Sequence, residues 1–144
     1  MRTFLLFILA TNLMNNAGIA DLDLAGQQWK KRVVVVLAPS ENDHDLKSQR
    51  AIAAKASAEF LERDLTLISE IAEGPLHQKY GVPSHRFQVL LIGKDGHAAA
   101  NWSTPITSAE LFSIIDVMPM RRDEIRQKTR ANTPAAETGQ KVLL

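Results

Sequence analysis

Between residues 32 and 38 the chain runs Arg-Val-Val-Val-Val-Leu-Ala and then meets Pro39. An unbroken apolar run rich in β-branched residues suits a strand covered on both faces. Proline adds no N–H to a ladder, so the strand should end there. Val34 and Val36 then face one side and Val33 and Val35 the other. Asp43 or Asp45 is placed to cap a helix. From Leu46 the apolar positions Leu46, Ala53, Ala56 and Phe60 recur at intervals of seven, three and four, which predicts a helix to about Arg63. Asp64 to Ile71 reads as a second strand, with Leu65, Leu67 and Ser69 on one side. Gly74-Pro75 breaks the chain before a short helix, Leu76 to Tyr80, which Gly81 ends. Phe87 to Ile92 and His97 to Trp102 read as a hairpin around Gly93-Lys94-Asp95-Gly96. Thr107-Ser108-Ala109-Glu110 has the form of a capping box, opening a helix with Leu111, Ile115 and Met118 on one face. Pro119 is placed to start a further helix.

The order is βαβ followed by ββα. With right-handed crossovers it predicts an α/β fold, a mixed sheet with helices on both faces. A chain of 144 residues suggests one domain. Hydrophobic residues at 45% and charged residues at 23% are those of an ordinary globular protein. The domain is expected over residues 21–130, and 131–144 reads as a flexible tail without core-forming density.

Residues 1–20 read as a signal peptide. Arg2 supplies the positive start, Thr3 to Ala10 the apolar core, and Gly18 and Ala20 the small residues before cleavage. The apolar run is far short of the roughly 20 residues that a spanning helix needs. No transmembrane segment is expected after cleavage, and a periplasmic or secreted address is. Lys plus Arg number 17 against 16 Asp plus Glu; cleavage removes Arg2 and no acid, leaving 16 against 16. That balance gives no reason to expect nucleic acid as a partner. The chain contains no cysteine. Thiol-disulfide exchange and thiol peroxidase chemistry both need a thiolate, so neither is open to it.

Ala38-Pro39-Ser40 with its acidic loop, the segment Phe87 to Gly96 (FQVLLIGKDG) and the segment Ile115 to Arg126 (IDVMPMRRDEIR) carry a resemblance. Together they resemble an exported bacterial family of domains of unknown function, family 4174. That family is akin to the repeated domains of vertebrate extracellular proteins such as equarin and the sushi-repeat proteins. The resemblance covers about Trp29 to Arg126. It implies a thioredoxin-like fold close to the peroxiredoxins and an exported address, and it supplies no enzyme activity. If Ala38-Pro39 matches the thioredoxin Ala-Pro, the nucleophilic cysteine position falls at Glu41 and the resolving one at His44. Gln88 then stands where the cis-proline would be, and Pro83 lies five residues too early.

Candidate chemistry concentrates in Glu41, Asp43, His44 and Asp45, where a βα loop meets a helix. Open α/β sheets place ligands at that edge. The residue types fit a metal site or acid-base catalysis with His44 tuned by its neighbours. Capping of the helix by its acidic residues is the simpler reading, because one histidine among consecutive acids lacks a ligand spacing. Arg86 precedes the hairpin strand. By analogy with the arginine that steadies a peroxiredoxin thiolate, it is a candidate partner for Glu41 or Asp43, or an anion contact. The plainer reading is an exposed loop arginine. His77, His85 and His97 are scattered in turn-rich segments, where most should be solvated. Arg122, Arg126 and Arg130 recur at i,i+4 and form a basic stripe, a candidate partner surface or a solvated face. Ser40 lacks the surroundings of a hydrolase nucleophile, and Gly93 to Gly96 lacks the form of a phosphate loop. No cofactor is predicted. The leading expectation is an exported, non-redox module that binds an unknown protein or small ligand. The alternative is a metal-assisted or acid-base enzyme built on Glu41, Asp43 and His44.

Overall fold

The computed structural model describes residues 24–133. The signal peptide expected over 1–20 and the tail from residue 134 lie outside the described residues. By contact the chain forms two compact units, the first ending at Ser108 and the second beginning at Ala109.

In the first unit the four-valine run is β1, Arg32–Ala38, with every residue buried. It lies between β2 (Leu65–Ile71) and β3 (Gln88–Ile92). The pairing with β2 is parallel, from Arg32 opposite Leu65 to Ala38 opposite Ile71. The pairing with β3 is antiparallel, from Val33 opposite Ile92 to Leu37 opposite Gln88. β4 (Ala98–Trp102) adds antiparallel to β3, with an irregularity at Leu91/Ile92, and the order is β2-β1-β3-β4. Gly96 closes the hairpin at φ 83°, a left-handed conformation that glycine adopts without a Cβ clash.

Parallel neighbours need a crossover, and helices α1 (His44–Lys55) and α2 (Ser57–Glu62) supply it. A single helix was the expectation to Arg63. Ala56 interrupts it at φ −102°, ψ 24°. The Ala56 N–H still bonds the carbonyls of Ile52 and Ala53 (both 3.2 Å), so the chain turns without losing a backbone donor. Asp43 is the N-cap, its carboxylate accepting the Leu46 N–H at 3.0 Å. Helix α3 (Pro75–Tyr80) starts on proline and ends at Gly81, which is left-handed at φ 64°.

Alternation along β1 divides the core. Val33, Val35 and Leu37 join Leu90, Ile92, Leu24 and Leu76 of α3 in one cluster, with Ile68, Tyr80 and Val82 packed against it. Val34, Val36 and Ala38 point the other way and are equally buried. On that side α1 packs on β1. Both faces of the central strand are therefore covered, as its composition requires.

Two buried polar side chains act as clamps. Gln49 of α1 donates to the Ile106 carbonyl at 3.2 Å and accepts the Ile106 N–H at 2.8 Å. Arg32 donates from Nη1 to the Arg63 carbonyl at 2.8 Å. Gln49→Leu should leave both Ile106 backbone groups unpaired in the interior, a cost of about 1–3 kcal/mol in a urea melt. A change below about 0.5 kcal/mol would show that Ile106 finds other partners.

The second unit holds α4 (Ser108–Ile115) from Ala109 on; the helix begins directly after Thr107 and buries Leu111 and Ile115. It also holds α5 (Pro119–Asn132), which starts at the expected proline. Arg121 is its buried residue, reaching Asp116 at 3.3 Å and Glu124 at 3.7 Å. No helix among the described residues is long and apolar enough to cross a membrane.

Candidate functional site

Because β1 and β2 run parallel, both carboxyl ends reach one edge of the sheet. The 39–43 loop and the 72–74 loop leave from that edge, and the Ala72 N–H bonds the Ala38 carbonyl at 2.8 Å. Ser69 and Glu70 of β2, being consecutive, point to opposite faces. The edge therefore carries one polar cluster on each face.

The first cluster contains Glu41. Arg50 of α1 donates from Nη1 to Glu41 Oε2 at 2.8 Å and from Nη2 to Ser69 Oγ at 2.8 Å. The Arg50 hydrogen bond holds the Glu41 carboxyl below its ordinary value. A depressed carboxyl stabilises the fold above its ordinary value of 4.5, and that contribution disappears as acid lowers the pH through the folded-state value. The pair is largely solvent-exposed, so screening keeps the effect to about half a kcal/mol. Glu41→Gln should therefore lower the urea midpoint slightly at pH 7 and by less at a pH well below 4.5. An equal loss at both pH values would mean that Glu41 acts by packing.

The other candidates of the 41–45 loop do not join Glu41. Asp43 is taken by the Leu46 N–H, and the His44 side chain is 93% exposed, its Nδ1 3.6 Å from Asp45. The helical turn sends consecutive side chains in different directions. Among the described residues no group of three or more His, Cys, Asp or Glu side chains could hold a metal ion. Arg86 lies exposed in a turn closed by its own N–H to the Pro83 carbonyl at 3.1 Å. Among the described residues it pairs with neither Glu41 nor Asp43, since Glu41 is held by Arg50 from the adjoining helix. Arg122, Arg126 and Arg130 are all exposed, and Arg126 pairs with Asp123.

The second cluster was not anticipated. Glu70 and His77 are 6% and 4% exposed, and His77 Nδ1 lies 2.7 Å from Glu70 Oε2. The same carboxylate accepts the Leu76 N–H at 3.2 Å and the His77 N–H at 2.8 Å, so it also caps α3. Gly74 makes room for it: a Cβ there would stand 2.3 Å from Glu70 Oε1. The other ring nitrogen, Nε2, is buried and has no hydrogen-bond partner among the described residues. His77 forms part of the wall of a cleft of about 430 Å³, with Ala72, Gly74, Gln78, Val82 and Ser84 among the other lining residues. Ala72 holds φ 61°, an uncommon conformation for a side-chain-bearing residue. One signal for this cluster was present in the sequence. Glu70 shares the strand face of Ile68, so the strand pattern points a carboxylate inward. The other two turn-region histidines are exposed.

The arrangement of sheet and helices defines an α/β protein with a thioredoxin-like fold. The chain is similar to reduced 2-Cys peroxiredoxin of Plasmodium vivax, with a TM-score of 0.53 at 17% identity over 74% of this chain and 84% of that one. It is similar to an N-terminally modified Prx1a of Plasmodium yoelii, with a TM-score of 0.54 at 16% identity over 82% and 86%. It is likewise similar to thioredoxin peroxidase I of Plasmodium yoelii, with a TM-score of 0.52 at 16% identity over 82% and 86%. These likenesses concern the fold. Residues 23–124 match the family described as Domain of unknown function (DUF4174), and the chain belongs to that family.

Proposed function

We propose that this protein is an exported, non-redox, thioredoxin-like module that binds a small ligand at the carboxyl edge of its sheet. The observation that carries the reading is the His77 cleft. His77 lies in the cleft wall, held by the buried Glu70 carboxylate, and its second ring nitrogen is buried beneath that wall without a hydrogen-bond partner among the described residues. The cleft volume lies within the ordinary range for small-molecule sites. The absence of cysteine supports the non-redox part, and the Arg2 to Ala20 pattern supports export to the periplasm or beyond. Tethering of Glu41 by Arg50 and of Asp43 by the helix cap favours binding over acid-base catalysis in the 39–45 loop.

The test is a screen of small polar molecules by amide NMR, run on the mature chain and on Ser84→Trp, which fills the cleft. Ligands should move the amides of residues 72–84 in the first and lose that effect in the second. Binding that ignores the tryptophan, or shifts confined to the 39–45 loop or α5, would overturn the assignment. The exported address is tested by intact mass after fractionation. The mature N-terminus should fall at Asp21 or within a few residues, and a full-length cytoplasmic product alone would remove it.

A further inference from the structure

We propose that α5 lays its Arg122, Arg126 and Arg130 face against an anionic phospholipid surface, a role separate from the cleft and independent of it. The three arginines stand four positions apart, so they share one side of the helix at intervals of about 6 Å along its axis. That arrangement works against the helix that carries it. Like charges at i,i+4 repel and weaken a helix. Cations near a helix start oppose its dipole, yet the first turn of α5 carries no acid and holds Arg122. Arg121 beside it has a structural reason, since it is buried and reaches Asp116 and Glu124. Arg122 has none. It is exposed, and among the described residues neither it nor Arg130 pairs with a carboxylate. Arg126 has Asp123 as its partner. Arg130 suits the dipole at the last turn, but it stands one turn from Arg126 and repels it.

The rest of the helix is uncovered. From Ile125 to Thr133 every residue is exposed. A helix gains most of its stability by packing a face, and these turns pack none. From Ile125 to Asn132 the charges are Arg126, Lys128 and Arg130, with no acid. The complement is a surface of negative charge, and guanidinium groups bind phosphate oxygens through paired N–H donors. A protein partner would need aromatic or aliphatic anchors to bury. The one large apolar side chain in this stretch is Ile125, and one step along the helix turns it about 100° from Arg126. Nucleic-acid binding favours a domain with a basic excess, whereas this chain is balanced, 17 Lys and Arg against 16 Asp and Glu. A membrane asks less. It is a plane of fixed phosphates, and within a screening length of about 10 Å it responds to the residues laid on it, each cation adding to the attraction. With no apolar anchor on the stripe, the contact is peripheral and reversed by salt.

The experiment is co-sedimentation of the chain from Asp21 onward with vesicles of phosphatidylcholine, alone and mixed with phosphatidylglycerol, at about 0.1 M and about 1 M salt. Starting at Asp21 keeps every described residue and leaves out the apolar segment Thr3 to Ala10, whose own affinity for lipid would mask α5. The expected result is binding to the phosphatidylglycerol vesicles at the lower salt, and none at the higher salt or to phosphatidylcholine alone. Arg122→Gln, which breaks no ion pair among the described residues, should weaken partitioning about fivefold and leave the urea midpoint unchanged. Arg122→Gln, Arg126→Gln and Arg130→Gln together should weaken it about a hundredfold. Lys30→Gln, Lys31→Gln and Lys55→Gln together remove the same charge from exposed positions elsewhere and should keep most of the binding. Equal losses from the two triple variants would mean that net charge alone attracts the chain, and the assignment to α5 falls. It falls too if neither vesicle binds, if both bind equally, or if Arg122→Gln lowers the urea midpoint and leaves partitioning intact. Duplex DNA held more tightly than the anionic vesicles at the same salt would make the partner a polyanion in solution and overturn the membrane assignment.

Discussion

Val35→Asp is expected to leave no cooperatively folded protein at room temperature. Val35 is fully buried at the middle of β1, paired with Ile68 on one side and Leu90 on the other, inside the apolar cluster that α3 closes. A carboxylate there has no evident cationic or hydrogen-bonding partner, and burying it unpaired costs several kcal/mol. The loss should be about 4 kcal/mol or more, which is most of the stability of a typical domain. Far-UV circular dichroism and urea melts check this, with Arg126→Ala as the control. Arg126 is exposed and, among the described residues, pairs with Asp123, so its removal should change stability by no more than about 0.5 kcal/mol. Equal, small effects from the two variants would mean that β1 is not the central strand.

The second large effect is expected at Glu70. Glu70→Leu keeps the volume apolar and removes the acceptor of two backbone N–H groups and of the imidazole. Each donor stranded in the interior costs about 1–3 kcal/mol, so the sum should reach about 3–5 kcal/mol, less what water recovers at the cleft. Glu70→Gln keeps one oxygen acceptor, enough for the His77 N–H but not also for the Leu76 N–H, and should cost less than Glu70→Leu. Hydrogen exchange should locate the damage, with the amides of Leu76 and His77 losing protection before those of β1 in either variant. If Glu70→Leu proves neutral, the carboxylate is not the cap of α3, and the orientation of His77 has another cause.

What could be read from the residues, and what could not, follows from the range of the interactions involved. The four-valine run, the stop at Pro39, the Asp43 cap, the Gly81 helix end and the Asp95-Gly96 turn are local facts. Each depends on backbone preference or on side chains a few positions apart, so the order of elements and the mixed sheet follow from the sequence. That the chain holds no cysteine is likewise read without any coordinates.

The site is a different matter. Glu41, Asp43 and His44 look like one cluster because they are neighbours in the chain. In space they separate, since α1 begins among them and turns each side chain its own way. Arg50 reaches Glu41 across nine positions, and Gln49 reaches Ile106 across 57. The Glu70–His77 pair forms because β2 delivers an inward carboxylate to the sheet edge just as Gly74 lets α3 fold back over it. The sequence by itself determined the order of the elements, most of their bounds and the lack of cysteine. Only the tertiary structure decided which polar groups lose water together, because burial and partnership are set by segments that meet after the sheet has formed.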